Sequence, residues 1–184
     1  MSDSDPGSEE LLDAGELFRR HGQFVANFLW KLGVGAPEVE DLVQEVFMVA
    51  HRRGGFVARE ARPTTWLAEI AIRVASTRRR SLGRAPTKVD LNDAHGVAAP
   101  AENPSAKAEA TERLNRVQRA LDAMDDNHRA VFVLYELEGE SCEDIAKSLG
   151  VPVGTVHSRL HTARKSFQKM HTRLLNLEES RRTA

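Results

Sequence analysis

The chain has 184 residues, 41% hydrophobic and 29% charged, with a formal net charge of −1. This composition supports one ordinary domain or two small ones with modest cores and excludes a disordered chain. No run of about 18 apolar residues predicts a transmembrane helix, and the acidic MSDSDPGSEE lacks the basic and apolar regions of a secretory signal.

Nearly every periodic segment reads as helix. Leu17, Phe18, Phe24, Val25, Phe28, Leu29 and Leu32 form an apolar stripe at spacings of three and four, closed by Gly33 and Gly35. Pro37 opens a second helix, with Val39, Leu42, Val43, Val46, Phe47 and Ala50 on one face, and Gly54-Gly55 breaks it. Pro63 and Thr64 start a third, with Trp66, Leu67, Ile70, Ala71 and Val74 inward, running out into Arg78-Arg79-Arg80. Residues 83–104 carry Gly83, Pro86, Gly96, Pro100 and Pro104 with weak periodicity and read as a linker. Leu114, Val117, Leu121 and Met124 then mark a helix broken at Asp125-Asp126-Asn127, and residues 128–137 form a short one ended by Gly139. No strand pattern or internal repeat stands out. The expected fold is all-α: an acidic disordered segment over 1–10, a helical module over 11–82, a flexible linker over 83–104, a second module over 105–175 and a tail over 176–184.

The most informative stretch is 141–169. Ser141 followed by Asp144 resembles a capping box, with a short acid where Glu is usual. Ile145, Ala146 and Leu149 follow, then Gly150 where the chain must turn left-handed, then Val151 and Pro152. Small Ala146, turning Gly150 and buried Val156 have the spacing of a helix-turn-helix. Val156, Leu160, Ala163, Phe167, Met170 and Leu174 face inward, which leaves Thr155, His157, Ser158, His161, Thr162, Arg164 and Lys165 for DNA. A plain αα-hairpin would not need the glycine, the proline and the basic face together.

The near-zero net charge conceals a pattern. Residues 1–16 carry six acids and no base, residues 51–84 carry nine arginines against Glu60 and Glu69, and residues 157–173 carry five Lys or Arg, three His and no acid. Two basic patches set among acidic stretches imply a protein that binds DNA weakly alone and needs a partner.

The stretch ELEGESCEDIAKSLGVPVGTVHSRLHTARKSF (136–167) closely resembles the promoter-reading C-terminal domain of extracytoplasmic-function (ECF) sigma factors. VEDLVQEVFMVAHRR (39–53) resembles the same family's core-binding helix, and TTWLAEIA (64–71) its helix that melts the −10 element. The resemblance covers nearly all of residues 11–172 and is to the minimal two-domain class. It implies a sigma factor that binds core RNA polymerase through the β′ clamp and β flap, reads promoter DNA at −10 and −35, and is held by an anti-sigma partner. It places Asp41, Gln44, Glu45, Met48 and Arg52 at the polymerase. It places Phe56, Arg59, Arg62, Trp66, Arg73, Thr77, Arg78, Arg79 and Arg80 at the −10 element, with Phe56 stacking on a flipped base and Trp66 in the core or at the duplex edge. Arg53 is expected to hold the nearby backbone. At −35 it places Thr155, His157, Ser158, His161, Thr162 and Lys165, with Arg159 and Arg164 near phosphates. The chain departs from the family at Arg73 and Thr77, where asparagine is common, and at His157 and Thr162, where basic residues are common. An unusual promoter preference follows.

His157 and His161 have a zinc-compatible spacing but no third ligand close in sequence, so no metal site is expected. Cys142, the sole cysteine, permits no internal disulfide and reads as a packed or half-exposed thiol rather than a redox switch, in a cytoplasmic protein. No nucleophile-base-acid set or phosphate loop appears, so neither enzyme activity nor a cofactor or small-molecule substrate is expected. Two other readings stand beside the promoter-reading one: a sigma-like decoy for an anti-sigma protein, and an autonomous helix-turn-helix regulator.

Overall fold

The computed structural model describes residues 11–57, 62–81 and 104–182. The acidic N-terminal segment, Arg59 and residues 83–103 of the expected linker lie outside them.

Helix α1 spans Ala14–Lys31. Asp13 caps it, its Oδ1 accepting from the Glu16 amide at 2.8 Å. That bond holds the Asp13 carboxyl below the usual carboxylate range. Leu17, Val25, Phe28 and Leu29 are buried as the stripe predicts. Phe18 departs from it: half its surface is exposed, and its ring packs edge-on against Phe47 at 5.1 Å between centroids. Gly33 ends the helix at φ +85°. Helix α2 spans Ala36–Arg52, with Pro37 in its first turn and Leu42, Val43, Val46, Phe47 and Ala50 buried. Helix α3 spans Pro63–Ser81 and buries Leu67, Ala68, Ile70, Ala71, Val74 and Ala75. The three helices pack on one another.

The fold is all-α as expected, with one small addition. Strand β1 (Leu11–Leu12) pairs antiparallel with β2 (Phe56–Val57). Two residues are too few for alternation to show, and the pairing joins segments more than 40 positions apart. The ladder draws Leu12 and Phe56 into the core. At Gly55 (φ +89°) a Cβ would lie 2.5 Å from the Leu12 carbonyl oxygen, so the approach requires glycine.

Helix α4 spans Pro104–Asp122 and α5 spans Asp126–Phe132. The expected break at 125–127 narrows to a cap: Asp125 Oδ1 accepts from the amides of Asn127 and His128 at 3.0 and 3.1 Å. The expected helix over 128–137 is divided. After Phe132 the backbone widens into a π-helical turn, Val133–Leu137, before Gly139 turns at φ +71°. Leu114, expected in the apolar stripe, is half exposed. Helix α6 spans Cys142–Leu149 and α7 spans Val153–Arg182. The residues after 175 therefore continue α7, where Glu178 accepts from Arg116 Nε at 3.2 Å. Buried side chains of both halves form one continuous core, and α3 lies against α6.

Candidate nucleic-acid interface

The turn between α6 and α7 has the expected chemistry. The Ser141 hydroxyl accepts from the Asp144 amide at 3.0 Å and donates to the Asp144 carboxylate at 2.7 Å. The short acid thus bonds the capping hydroxyl itself. Gly150 takes φ +64°, ψ 37°. Its amide donates to the Lys147 carbonyl at 3.3 Å and the Val151 amide to that of Ala146 at 3.1 Å, the double bond of a Schellman ending. The Pro152 carbonyl then accepts from Thr155 at 2.8 Å and starts α7. Val156, Leu160 and Ala163 are buried, fixing which face of α7 looks outward.

On that outward face, about 100° per residue places Arg164, His157, His161, Lys165, Ser158 and Thr162 in that order around about 160° of the helix. All six are exposed. The Ser158 hydroxyl donates to the Thr155 carbonyl at 3.0 Å and that of Thr162 to the Ser158 carbonyl at 3.1 Å, leaving their oxygen lone pairs outward. Thr155 and Arg159 are half-buried at the far edge of this face. Arg164 is held from outside the helix: its Nε donates to Glu136 at 2.6 Å and its guanidinium lies 5.2 Å from the Tyr135 ring centroid. Glu136 and Tyr135 sit in the π-helical turn, 28 and 29 positions away, and no local pattern pointed to them.

Helix α3 carries a second outward stripe. Trp66, Arg73, Thr77 and Arg80 fall within about 60° of one another, and Arg62 stands just ahead of the helix. The three arginines and Thr77 are exposed and Trp66 is half-buried. Arg53 covers the Trp66 ring at 5.9 Å. Glu69, counted in the sequence only as an acid among the arginines, binds both Arg73 at 3.0 Å and Arg53 at 3.5 Å. Its signal was the Glu-to-Arg spacing of four.

Three of the expected residues sit apart from this stripe. Phe56 is 5% exposed, locked in the β ladder with its ring 5.6 Å from that of Trp66, so it supports the surface and does not present itself to a base. Arg78 and Arg79 leave the stripe, because three consecutive helical residues diverge by about 100° each. Arg78 turns back to Glu38 on α2 at 3.3 Å. Arg79 bonds the Leu32 carbonyl at 3.1 Å and ion-pairs with Asp126.

Helix α2 presents a third surface. Asp41, Gln44, Glu45, Met48 and Arg52 lie within about 100° on the side opposite its buried face. All five are exposed, Met48 at 59%. Cys142 begins α6 buried, and burial with the neighbouring Glu143 charge pushes its thiol up, keeping it protonated. Among the described residues, His157 and His161 gather no third metal ligand, and no helix is long and apolar enough to cross a membrane.

A model of sigma-70 region 2 matches residues 17–85, and one of sigma-70 region 4 matches residues 114–167. The ECF RNA polymerase sigma factor SigM of Mycobacterium tuberculosis is 30% identical over 155 residues, covering 84% of this chain and 75% of that protein. This chain belongs to the ECF RNA polymerase sigma factors. The sigma-E factor of Escherichia coli is 31% identical over 141 residues, 73% of this chain and 74% of that protein. SigE of Mycolicibacterium smegmatis is 31% identical over 156 residues, 83% of this chain, which spans only 59% of that longer protein. Two solved structures share the fold. CnrH in complex with the cytosolic domain of CnrY has a TM-score of 0.56 at 23% identity, covering 85% of this chain and 86% of that one. The sigma factor RpoE in complex with the anti-sigma factor NepR from Bartonella quintana has a TM-score of 0.63 at 24% identity, covering 85% and 94%. The region 2 match thus takes in most of α1 with α2 and α3, and the region 4 match runs from the second half of α4 to the first half of α7.

Proposed function

We propose that this sigma factor binds core RNA polymerase through the α2 strip and directs it to promoters by two-point DNA recognition. The α3 stripe meets the −10 element and the outward face of α7 meets the −35 element. The observation that carries this reading is the coexistence in one chain of two helices with outward polar and basic faces and a third, mixed acidic and methionine-bearing strip that suits a protein partner. Carboxylates at Asp41 and Glu45 fit a basic polymerase surface through charge-assisted bonds. On α7, His157, His161, Ser158 and Thr162 carry hydrogen-bonding groups of base-reading type, while Arg164, Arg159 and Lys165 supply phosphate contacts. On α3, Arg73 pairs with a guanine edge or a phosphate once released from Glu69, Trp66 meets the edge of the opened duplex, and Arg62 and Arg80 track its backbone.

The protein works in the cytoplasm, makes no chemical step of its own, and is restrained by an anti-sigma protein, as the RpoE relative is bound by NepR. In vitro transcription with core polymerase tests the reading. A promoter-specific transcript dependent on the α2 strip supports it, whereas a protein that captures an anti-sigma partner but yields no transcript is a decoy. Sequence-selective DNA binding without polymerase would instead mark an autonomous regulator. Substituting His157→Ala and His161→Ala should relax base preference at −35, and unchanged preference would remove these histidines from base readout.

A further inference from the structure

Helix α7 does not stop where the region 4 match ends, at Phe167. It continues to Arg182, about 22 Å further along its axis. One side of this continuation is anchored. Leu174 is buried, and the Phe167 ring stacks on those of Phe132 and His171 at 4.9 and 5.6 Å between centroids. Glu178 accepts from Arg116 Nε of α4 at 3.2 Å. These contacts fix which side looks outward. At about 100° per residue, Lys165, Lys169, Thr172, Arg173 and Asn176 share an arc of about 100° with Ser158 and Thr162 of the −35 face. All are exposed.

Charge on this strip is one-sided. From His157 to Leu177 the sequence holds no acid. Lys165, Lys169 and Arg173 follow at intervals of four, and like charges at that spacing repel along a helix, so the anchored side must offset their repulsion. The helix dipole does not call for them, because it favours cations only in the last turn, and Lys165 and Lys169 stand more than three turns from the end. Arg164 shares its charge with Glu136. Among the described residues, Lys165, Lys169 and Arg173 have no carboxylate partner, so their charge is available to an anion outside the chain.

Distance along the helix selects the anion. Lys169 lies about 18 Å and Arg173 about 24 Å past His157. The major groove is about 12 Å wide. A helix whose first turns read bases has reached the groove wall by Lys169, and that wall is phosphate. Continuity favours DNA over an acidic protein, since the strip runs on from Ser158 and Thr162 without a break.

We propose that Lys169 and Arg173, in line with Lys165, are a phosphate-binding extension of the −35 surface that grips the DNA backbone flanking the −35 bases. Its place beside those bases rests on the reading of α7 proposed above; the phosphate contact itself does not. The extension lies outside the residues matched to region 4 and adds a sequence-independent hold to a reading tip made of histidines and hydroxyls.

Holoenzyme binding to duplex DNA, followed by fluorescence anisotropy across salt, tests this. The probes are a promoter duplex selected by the holoenzyme from random sequence and the same duplex with its −35 bases scrambled. Two phosphate contacts carry a slope of about 1.8 in log K against log salt, which is about 60-fold in affinity at 0.1 M relative to 1 M. Lys169→Ala with Arg173→Ala should lose close to that on either duplex. Lys169→Arg with Arg173→Lys keeps both charges and should keep the slope. Uncharged methylphosphonate linkages, placed one at a time through and beyond the −35 element, locate the contact. Linkages just beyond the −35 bases should weaken the parent and leave the double alanine variant indifferent, a coupling that a misfolded helix would not show. An unchanged slope, a loss confined to one −35 sequence, or linkages that weaken parent and variant alike would overturn the extension. If the slope falls as expected but scrambling the −35 bases leaves the parent's affinity unaltered, the phosphate surface stands and the −35 reading falls.

Discussion

Replacing Arg164 by alanine should weaken promoter binding by an amount set by salt, not by sequence. Arg164 stands at one edge of the outward face of α7, its Nε committed to Glu136 at 2.6 Å and its plane resting 5.2 Å from the Tyr135 ring centroid. A guanidinium has five donors in a fixed fork, so the outer nitrogens can still reach a phosphate while Nε stays bound. Its pKa is raised by the Glu136 hydrogen bond, so the charge is permanent. One phosphate contact contributes about 0.9 to the slope of log K against log salt. Relative to 1 M, that amounts to about eightfold in affinity at 0.1 M salt and about fourfold at 0.2 M. Arg164→Ala should therefore lose close to those factors against every −35 sequence, and its salt slope should be shallower by about one unit. Arg164→Lys keeps the charge but not the fork, and should retain the slope while losing part of the affinity. The assay is fluorescence anisotropy of holoenzyme on promoter DNA, titrated across salt for parent and variants. An unchanged slope for Arg164→Ala, or a loss confined to one −35 sequence, would refute the phosphate role.

Three further outcomes are expected. Glu45→Lys reverses one charge in the exposed α2 strip and should reduce core polymerase binding by at least tenfold in a competition assay, with no change in the melting curve. Phe56→Ala removes a core ring 5% exposed and should cost about 3–5 kcal/mol of stability by denaturant unfolding; a stable variant defective only in promoter melting would return Phe56 to the base-stacking role. Burial, and next the Arg20 charge, lower the pKa of His21. Over the window from the unfolded value near 6.5 down to the folded one, the unfolded chain binds more protons, so stability should fall as pH drops through that window. His21→Gln should flatten the dependence, and equal profiles for both proteins would count against it.

Much of the fold could be read from local spacing. The buried residues of α1, α2 and α3 recur at three and four, and Ser141, Gly150 and Val156 have roles that their own neighbours dictate. What escaped was non-local. The β ladder joins Leu12 to Phe56, and without that pairing an aromatic in an apparent loop looks available to a ligand. Arg78-Arg79-Arg80 reads as one basic patch along the chain, but helical geometry sends the three side chains to different partners. Glu136 and Glu138 belong to a segment whose helix widens to a π turn, and their partners Arg164 and Lys31 lie 28 and 107 positions away. The docking of region 2 on region 4 is made largely of such polar pairs, which carry no periodic signature.

These pairings also account for a DNA-reading protein with a net charge of −1. The arginines around the proposed promoter surfaces meet acids: Arg53 and Arg73 at Glu69, Arg78 at Glu38, Arg79 at Asp126 and Arg164 at Glu136. An arginine already paired with a carboxylate gains less from a phosphate than an unpaired one, because it exchanges one anion for another. Non-specific DNA binding, which depends almost wholly on phosphate charge, is weakened most. Base contacts by uncharged groups such as Ser158 and Thr162 are untouched by that exchange. In the proposed function an anchor on α2 that ties the chain to polymerase recovers the missing affinity, because each proposed DNA face then acts at high local concentration. On this reasoning, removing the acids should not improve the protein. Glu69→Gln with Glu136→Gln should tighten binding to random DNA more than to a promoter, and so reduce the ratio between them.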